Sequence, residues 1–455
     1  MSDTGRDGLF GALFGRGPAA AGDQDWLQAM LDTEAALARA LERAGVAARG
    51  AGAAVTEVAR AELFDVAAIG RQAVLIGNPV AALVRALSEQ LPAGPARDAV
   101  HKGATSQDII DTAAMLLARR AMDAIEADLS AASVRAAALA AEHVSTVMTG
   151  RTLLQHAVPV TFGLIAAGWL TAIDDARRDL TQVRVTRLAI QFGGAAGTLA
   201  SLGDAGPAVS ALLAEELGLG EPVLPWHTDR LRIVQLAAAL AGTCAVAGKI
   251  ARDVTLLAQS EVAEVAEGGG AAGQGGSSAM PHKRNPVISV LILGCAKQAP
   301  GLLATLAAAS EQELQRAAGA WHAEWLPLRD LLALAGSATS WLADLMAGLV
   351  VDADRMRANI DAARGLPMAE HVTAELAPVL GRLTAHELVA AAAVRAGRDN
   401  IGLADALLAD AAAATALADS GIGRAELAAA TSPDGYLGAT VQFVRRALAH
   451  HEEGA

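Results

Sequence analysis

Aromatic side chains are scarce in this chain. Phe, Trp and Tyr make up 3% of its 455 residues, and tyrosine occurs once. Aromatic and β-branched residues favour strands, whereas the alanine and leucine that dominate here favour helices. That balance predicts an all-α protein whose helices pack closely through small side chains. Cysteine is nearly absent too. Cys244 and Cys295, both in apolar surroundings, are the two present. They make no disulfide framework and no zinc spacing, and two buried thiols suit a reducing cytoplasm, the expected location. With no HExxH motif and no Cys/His cluster, no metal and no cofactor is expected. Positive charge is in deficit, and the formal net charge is −13. The counterion release that drives nucleic-acid binding is therefore unavailable, although a net charge does not exclude local basic pockets for small anions. Long hydrophobic runs are missing as well. Leu236 to Gly248 is apolar for only about 13 residues, short of the roughly 20 that span a bilayer. It reads as a buried bundle helix, and no membrane partner is expected. The opening text, MSDTGRDGLFGALFGRG, is too short and broken for a secretory apolar region. Residues 1–24 read as a loose tail.

What is present is helical periodicity. The length suits roughly three domains of about 150 residues each. Between Asp25 and Ala44, Trp26, Met30, Leu37 and Leu41 recur at helical spacing with charges between them. Residues 45–110 are broken by Gly and Pro, at Gly77 to Pro79 and Leu91 to Pro95, and predict short helices and loops. Long alanine-rich patterns follow over about 111–145, 159–188, 228–267, 286–315 and 325–350. Helices of that length read as an elongated bundle. The glycine-rich stretch 191–206 reads as a connection. After 351 the segments shorten around Gly365, Pro367, Gly381 and Gly397. The expected architecture is thus a central bundle of long helices, 111–350, flanked by smaller helical domains at 1–110 and 351–455. Gly268, Gly270 and Gly273 fit G-x-G-x-x-G, but a dinucleotide fingerprint follows a strand, and the text before it reads as a long helix. Ala247 to Ile250, AGKI, lacks the spacing of a P-loop.

Three stretches carry chemistry. GGSSAMPHKRNP, Gly275 to Pro286, follows a glycine-rich run and packs Ser277, Lys283 and Asn285 together. A loop that delivers a hydroxyl and a cation together suits closure over an anionic substrate, although Gly, Ser and Lys also make ordinary solvated loops. HKGATSQDIIDTA, His101 to Ala113, sets Thr105, Ser106 and Gln107 before a helix starting near Asp108 or Ile109. Those hydroxyls either cap the helix or, with its N-terminus, form an anion site. His101 has two readings, a packed neutral histidine and a substrate contact. GRTLLQHAVPVTFG, Gly150 to Gly163, is the third. Arg316, ahead of WHAEW at Trp321 to Trp325, is a candidate carboxylate clamp, because guanidinium binds carboxylate bidentately.

Taken together, these blocks resemble the signatures of the fumarase/aspartase superfamily, whose loop pattern GSSxMPxKxNP is matched here at every fixed position. The resemblance implies a homotetramer with composite active sites built from the three blocks of different subunits. It implies a small polycarboxylate substrate and no nucleic-acid partner. It makes Ser277 the group that exchanges a proton with the carbon beside a carboxylate. Lys283 and Asn285 then stabilise the resulting carbanion. His101, Thr105, Ser106, Gln107, Arg151, Gln155, His156 and Arg316 form the implied substrate-binding set. One departure is informative. Fumarase-like and adenylosuccinate-lyase-like members read RTH where this chain reads Arg151, Thr152, Leu153. Leucine cannot transfer a proton. Water and amines leave better when protonated, whereas a carboxylate, whose conjugate acid has a pKa near 4, does not need it. Leu153 and WHAEW therefore resemble the bacterial 3-carboxy-cis,cis-muconate cycloisomerase branch, in which a tricarboxylate's own carboxylate adds across a double bond. The alternatives are a fumarate-releasing lyase acting on adenylosuccinate or argininosuccinate, and a non-catalytic helical scaffold.

Overall fold

The computed structural model describes residues 9–17, 19, 21–268, 275–277 and 279–454. It is mostly helical. In chain order the helices begin with α1 (Gly11–Phe14), α2 (Asp23–Arg43), α3 (Ala51–Val58), α4 (Val66–Ala73), α5 (Val80–Glu89), α6 (Pro95–Ala99) and α7 (Ser106–Glu142). A hairpin of β1 (Val147–Thr152) and β2 (Gln155–Thr161) leads into α8 (Phe162–Arg187), α9 (Gly206–Leu217) and α10 (Leu231–Leu257). Then come β3 (Val265–Glu267), α11 (Val287–Ala308), α12 (Ala320–Gly348) and β4 (Leu349–Val351). The chain closes with α13 (Ala353–Ala362), α14 (Ala369–Leu380), α15 (Arg382–Asp399), α16 (Leu403–Leu408), α17 (Ala411–Asp419), α18 (Arg424–Ala430) and α19 (Thr440–Gly454).

Contacts group the chain into two compact units. One holds residues 1–131, 175–251 and 287–344; the other holds 132–174, 252–286 and 345–455. In the first, small side chains allow the close approach that the composition predicts. A Cβ added at Gly248 of α10 would lie 2.6 Å from the Ala296 Cβ of α11. α2 buries Leu27, Met30, Leu31, Leu37 and Leu41 on one stripe, and its first turn is closed by Asp25, whose carboxylate accepts the Gly22 N–H at 2.9 Å. The expected apolar run 236–248 lies inside the 27-residue α10. By length and composition, α10, α11 and α12 are each long and apolar enough to cross a membrane. α10 and α12 bury more than half of that apolar stretch inside the protein, whereas α11 buries 28%. Both cysteines are buried, and burial pushes their thiols up to about 12. In the second unit the C-terminal helices α14 to α18 enclose their own core around Val372, Leu376, Val389, Leu403 and Leu407.

Three expectations need correction. Residues 1–8, 18 and 20 lie outside the described residues, but the expected loose tail is held at Leu13 and Arg16. The Leu13 carbonyl accepts the Trp341 indole N–H at 3.1 Å, and the Arg16 N–H bonds Ser337 Oγ at 2.8 Å. The Arg16 guanidinium lies 3.9 Å from the Trp341 ring centroid and pairs with Asp344. Second, the helix expected from about 159 begins at Phe162, and the stretch before it, to which the sequence assigned no element, is a β-hairpin. Its turn residues, Leu153 and Leu154, both have positive φ (51° and 63°), the requirement of a type I′ turn usually met by Asn-Gly. Third, α10 ends at Leu257, and a short strand does precede the G-x-G-x-x-G run. That strand, β3, pairs antiparallel with β4. It therefore lacks the βαβ setting of a dinucleotide site. Gly270 and Gly273 lie outside the described residues.

Candidate active site

In the first unit the chemistry gathers at the start of α7. The helix begins at Ser106, slightly earlier than expected, and its cap comes from Asp108, whose Oδ2 accepts the Thr105 N–H at 2.9 Å. The Thr105 and Ser106 hydroxyls take no hydrogen-bond partner among the described residues, so capping does not consume them. Asp108 also accepts the N–H groups of Gly193 and Gly194 at 3.1 and 2.9 Å and contacts His227 Nε2 at 2.7 Å. Four partners on a buried carboxylate hold the glycine loop 193–194 against the helix start. Glycine is required there. A Cβ on Gly193 would meet the His227 ring at 2.7 Å, and Gly194 has φ +67° with Gly103 O 2.9 Å from its added Cβ.

Gln107 is buried, and its amide is fully used. It donates to Asp111 at 3.1 Å and to the His227 carbonyl at 2.8 Å, and it accepts from Arg316 at 2.9 Å. The other terminal nitrogen of Arg316 donates to the carbonyls of Gly194 and Ala195 at 2.9 and 2.7 Å. All three acceptors are neutral. Burial lowers the pKa of this guanidinium, partly offset by Asp108 and Asp111. An arginine fixed by amide and carbonyl oxygens, with no carboxylate among the described residues bonded to it, is ready to receive one from a ligand.

Behind this cluster lies a buried charge network around Arg230, a residue the sequence did not single out. Arg230 is 2% exposed and bonds Asp111 (2.7 and 3.0 Å) and Glu324 (2.6 to 3.2 Å). Burial opposes its charge, but the two carboxylates outweigh that and raise its pKa. Glu324 moves up as well. Its burial raises it more than the hydrogen bond and charge of Arg230 lower it. WHAEW thereby gains a physical role. The Trp321 indole donates to Asp111 at 3.0 Å, and Glu324 holds Arg230. The visible hint was the pair Asp108 and Asp111, three residues apart on one helix face, but a charged residue at that spacing is usually solvated.

His101 sits in the turn before this helix with φ 57°, left-handed for a side-chain-bearing residue. Glu34, on α2 and fully buried, accepts its backbone N–H at 2.9 Å and contacts its Nδ1 at 2.7 Å. Burial lowers the pKa of His101, but the hydrogen bond and charge of Glu34, with Asp108 adding, overcome it and raise the pKa above the ordinary value. These surroundings favour the protonated ring over the neutral one.

In the second unit, Arg151 makes a bidentate pair with the buried Glu264 at 2.7 and 2.8 Å, and Asn359 donates to the same carboxylate at 2.8 Å. Its charge is spent inside the protein. Gln155 and His156 stand exposed on the hairpin, opposite Thr152 and Arg151. Leu153 is 96% exposed at its tip, so no proton donor occupies that position. In the loop, Ser277 Oγ accepts the Met280 N–H at 3.2 Å. Asn285 closes the base, donating its backbone and side-chain N–H groups to Gly275 O at 2.7 and 3.2 Å. Lys283 is exposed. Ser278 and the glycines 269–274 lie outside the described residues. No hydrogen bond joins hairpin and loop among the described residues. The structure therefore brings Thr105, Ser106, Gln107, Arg316 and His101 to one helix start, and Ser277 and Asn285 to one loop.

Known proteins resemble this chain over nearly its whole length. Residues 19–301 match the lyase family model, and residues 365–447 match the adenylosuccinate lyase C-terminus. A 3-carboxy-cis,cis-muconate cycloisomerase of Bradyrhizobium diazoefficiens is 47% identical, covering 94% of each chain. A nitrosuccinate lyase of Streptomyces davaonensis is 44% identical, covering 94% of this chain and 91% of its own. The crystal structure of the 3-carboxy-cis,cis-muconate lactonizing enzyme from Pseudomonas putida superposes with a TM-score of 0.90 at 40% identity, covering 98% and 99% of the two chains. With its three motif blocks, its helical fold and these relatives in agreement, the chain belongs to the lyase family of the fumarase/aspartase superfamily.

Proposed function

We propose that this chain is a cycloisomerase that converts 3-carboxy-cis,cis-muconate to 4-carboxymuconolactone, the reaction of the protocatechuate branch of aromatic catabolism. The observation that carries it is Leu153, exposed at the hairpin tip where acid-using relatives place histidine. A site without an acid there suits a reaction whose nucleophile or leaving group is a weak base. Arg316, steadied by Gln107, and the free hydroxyls of Thr105 and Ser106 receive substrate carboxylates, with His101 beside them. One substrate carboxylate attacks the alkene and forms the carbon–oxygen bond, and tethering makes the step intramolecular. The electron pair of the double bond moves toward a neighbouring carboxylate, where Lys283 and Asn285 stabilise the developing charge. Ser277 delivers its proton to the adjacent carbon and recovers one from solvent. The substrate trianion plus one proton becomes the lactone dianion. Arg151 orients the hairpin through Glu264, and Gln155 and His156 are its remaining contacts toward substrate.

The division into 1–110, 111–350 and 351–455, a cytoplasmic location and a homotetramer with composite sites belong to the same proposal. The apolar α11, only 28% buried, supports a partner copy covering it.

A second reading is favoured by the same leucine. Nitrite is a weakly basic leaving group, like a carboxylate, so elimination of nitrite from nitrosuccinate also dispenses with an acid. The test is an ultraviolet assay on purified protein with 3-carboxy-cis,cis-muconate, in parallel with nitrosuccinate, adenylosuccinate and argininosuccinate. Loss of the diene, with lactone identified by NMR, is the expected result. Nitrite and fumarate release without lactone would replace the first reading by the second. Fumarate from adenylosuccinate or argininosuccinate would overturn the leaving-group argument. Silence on all four would leave the non-catalytic scaffold.

A further inference from the structure

We infer that Glu34 is a positioning residue for the reaction: it holds His101 as an imidazolium whose free Nε2 binds a substrate carboxylate beside Thr105 and Ser106. The inference rests on the substrate being a polycarboxylate.

A buried glutamate in the middle of a helix needs a reason, because its charge is expensive to bury unpaired. Here both oxygens face the same residue. Oε2 accepts the backbone N–H of His101 at 2.9 Å, and Oε1 meets ring Nδ1 at 2.7 Å. A latch that merely held the turn would need only the first bond. The second fixes the tautomer and orientation of the ring, because a carboxylate at Nδ1 requires a proton there. The other nitrogen, Nε2, has no partner among the described residues, and the side chain is 22% exposed while Glu34 is 0% exposed. The positive φ of His101 supports the same reading, since backbone strain persists where surrounding bonds over-determine it, and it gathers at functional sites. The same turn runs directly into the free hydroxyls of Thr105 and Ser106.

The other charges facing His101 do not replace Glu34. Asp108, on α7, adds negative potential but is saturated by Thr105, Gly193, Gly194 and His227. Lys102, next in the chain, turns its Nζ away to the Val46 carbonyl at 3.0 Å. Without Glu34 the burial of His101 favours the neutral ring, which cannot donate from both nitrogens.

The experiment measures kcat/KM for 3-carboxy-cis,cis-muconate against pH in the wild type, Glu34→Gln, Glu34→Asp, His101→Gln and the double variant. Binding of tricarballylate by calorimetry over the same pH range provides a second readout, and melting temperature a third. Glu34→Gln is expected to lower kcat/KM by about 10- to 100-fold, the size of a lost charge-assisted hydrogen bond, and to move the alkaline limb to lower pH. Glu34→Asp should recover part of both, and Glu34→Gln should add little in the His101→Gln background. A lower melting temperature with an unmoved alkaline limb and wild-type kcat/KM would reduce Glu34 to a structural latch and overturn the inference. So would fully additive losses in the double variant. If the wild type fails to turn over the tricarboxylate yet binds tricarballylate with the Glu34-dependent pH profile, the lactonisation reading fails and this one stands. If tricarballylate binding is indifferent to both residues, this one fails.

Discussion

Leu153 and Ser277 carry opposite predictions at the scale of the single residue. Ser277→Ala removes the group that hands a proton to carbon, so turnover should be abolished while the melting temperature stays near wild type. Normal turnover would dismiss Ser277 from the chemistry. Leu153→His restores the imidazole of acid-using relatives, yet lactonisation should not improve, because a carboxylate gains nothing from an acid. A clear gain in kcat would contradict the reading. Asp111→Asn should raise KM more than it lowers kcat. Asp111 orients Gln107, which orients Arg316, a binding group. Of these residues, the sequence exposed Ser277, Gln107 and Arg316. It was silent on Glu34 and Arg230, whose partners lie tens of positions or more away, and on Asp111, which joins Arg230 to Gln107.

At the scale of the element, the β1–β2 hairpin is the part that reads least like itself. Its turn is Leu-Leu, not Asn-Gly, and each leucine in the left-handed region costs about 1–2 kcal/mol. Replacing both, Leu153→Asn with Leu154→Gly, should raise the melting temperature while lowering activity if the tip touches substrate. An unchanged melting temperature would mean that the turn is relaxed as it stands. Gly150 sits at the bulge of this hairpin, where an added Cβ would lie 2.5 Å from the Val158 carbonyl oxygen. Gly150→Ala should therefore destabilise by about 1–3 kcal/mol, the usual range for overpacking. The long helices were legible because their period repeats over many turns. The hairpin was not, because a β-hairpin announces itself through turn residues, and this one lacks them.

For the whole molecule, pH links the site to stability. His101 has a folded pKa above its unfolded value, so its contribution is fully present below the unfolded pKa, near 6.5. It is lost as pH rises through the raised folded pKa. Melting temperature should fall across that alkaline window, and Glu34→Gln should flatten this part of the profile; an identical slope in the variant would assign it to other groups. The residue types alone determined that this chain is helical, acidic and without a metal-ligand spacing. Its motif strings determined the superfamily. Periodicity and short motifs are local properties, and local properties are written consecutively along a chain. Only the tertiary structure decided that Arg151 is spent on Glu264, that Arg316 is bonded by neutral oxygens among the described residues, and that both oxygens of Glu34 face His101. Whether a side chain is free, paired or ionised depends on neighbours brought together by folding and on the burial that strengthens their fields, and neither is encoded at the residue's own position.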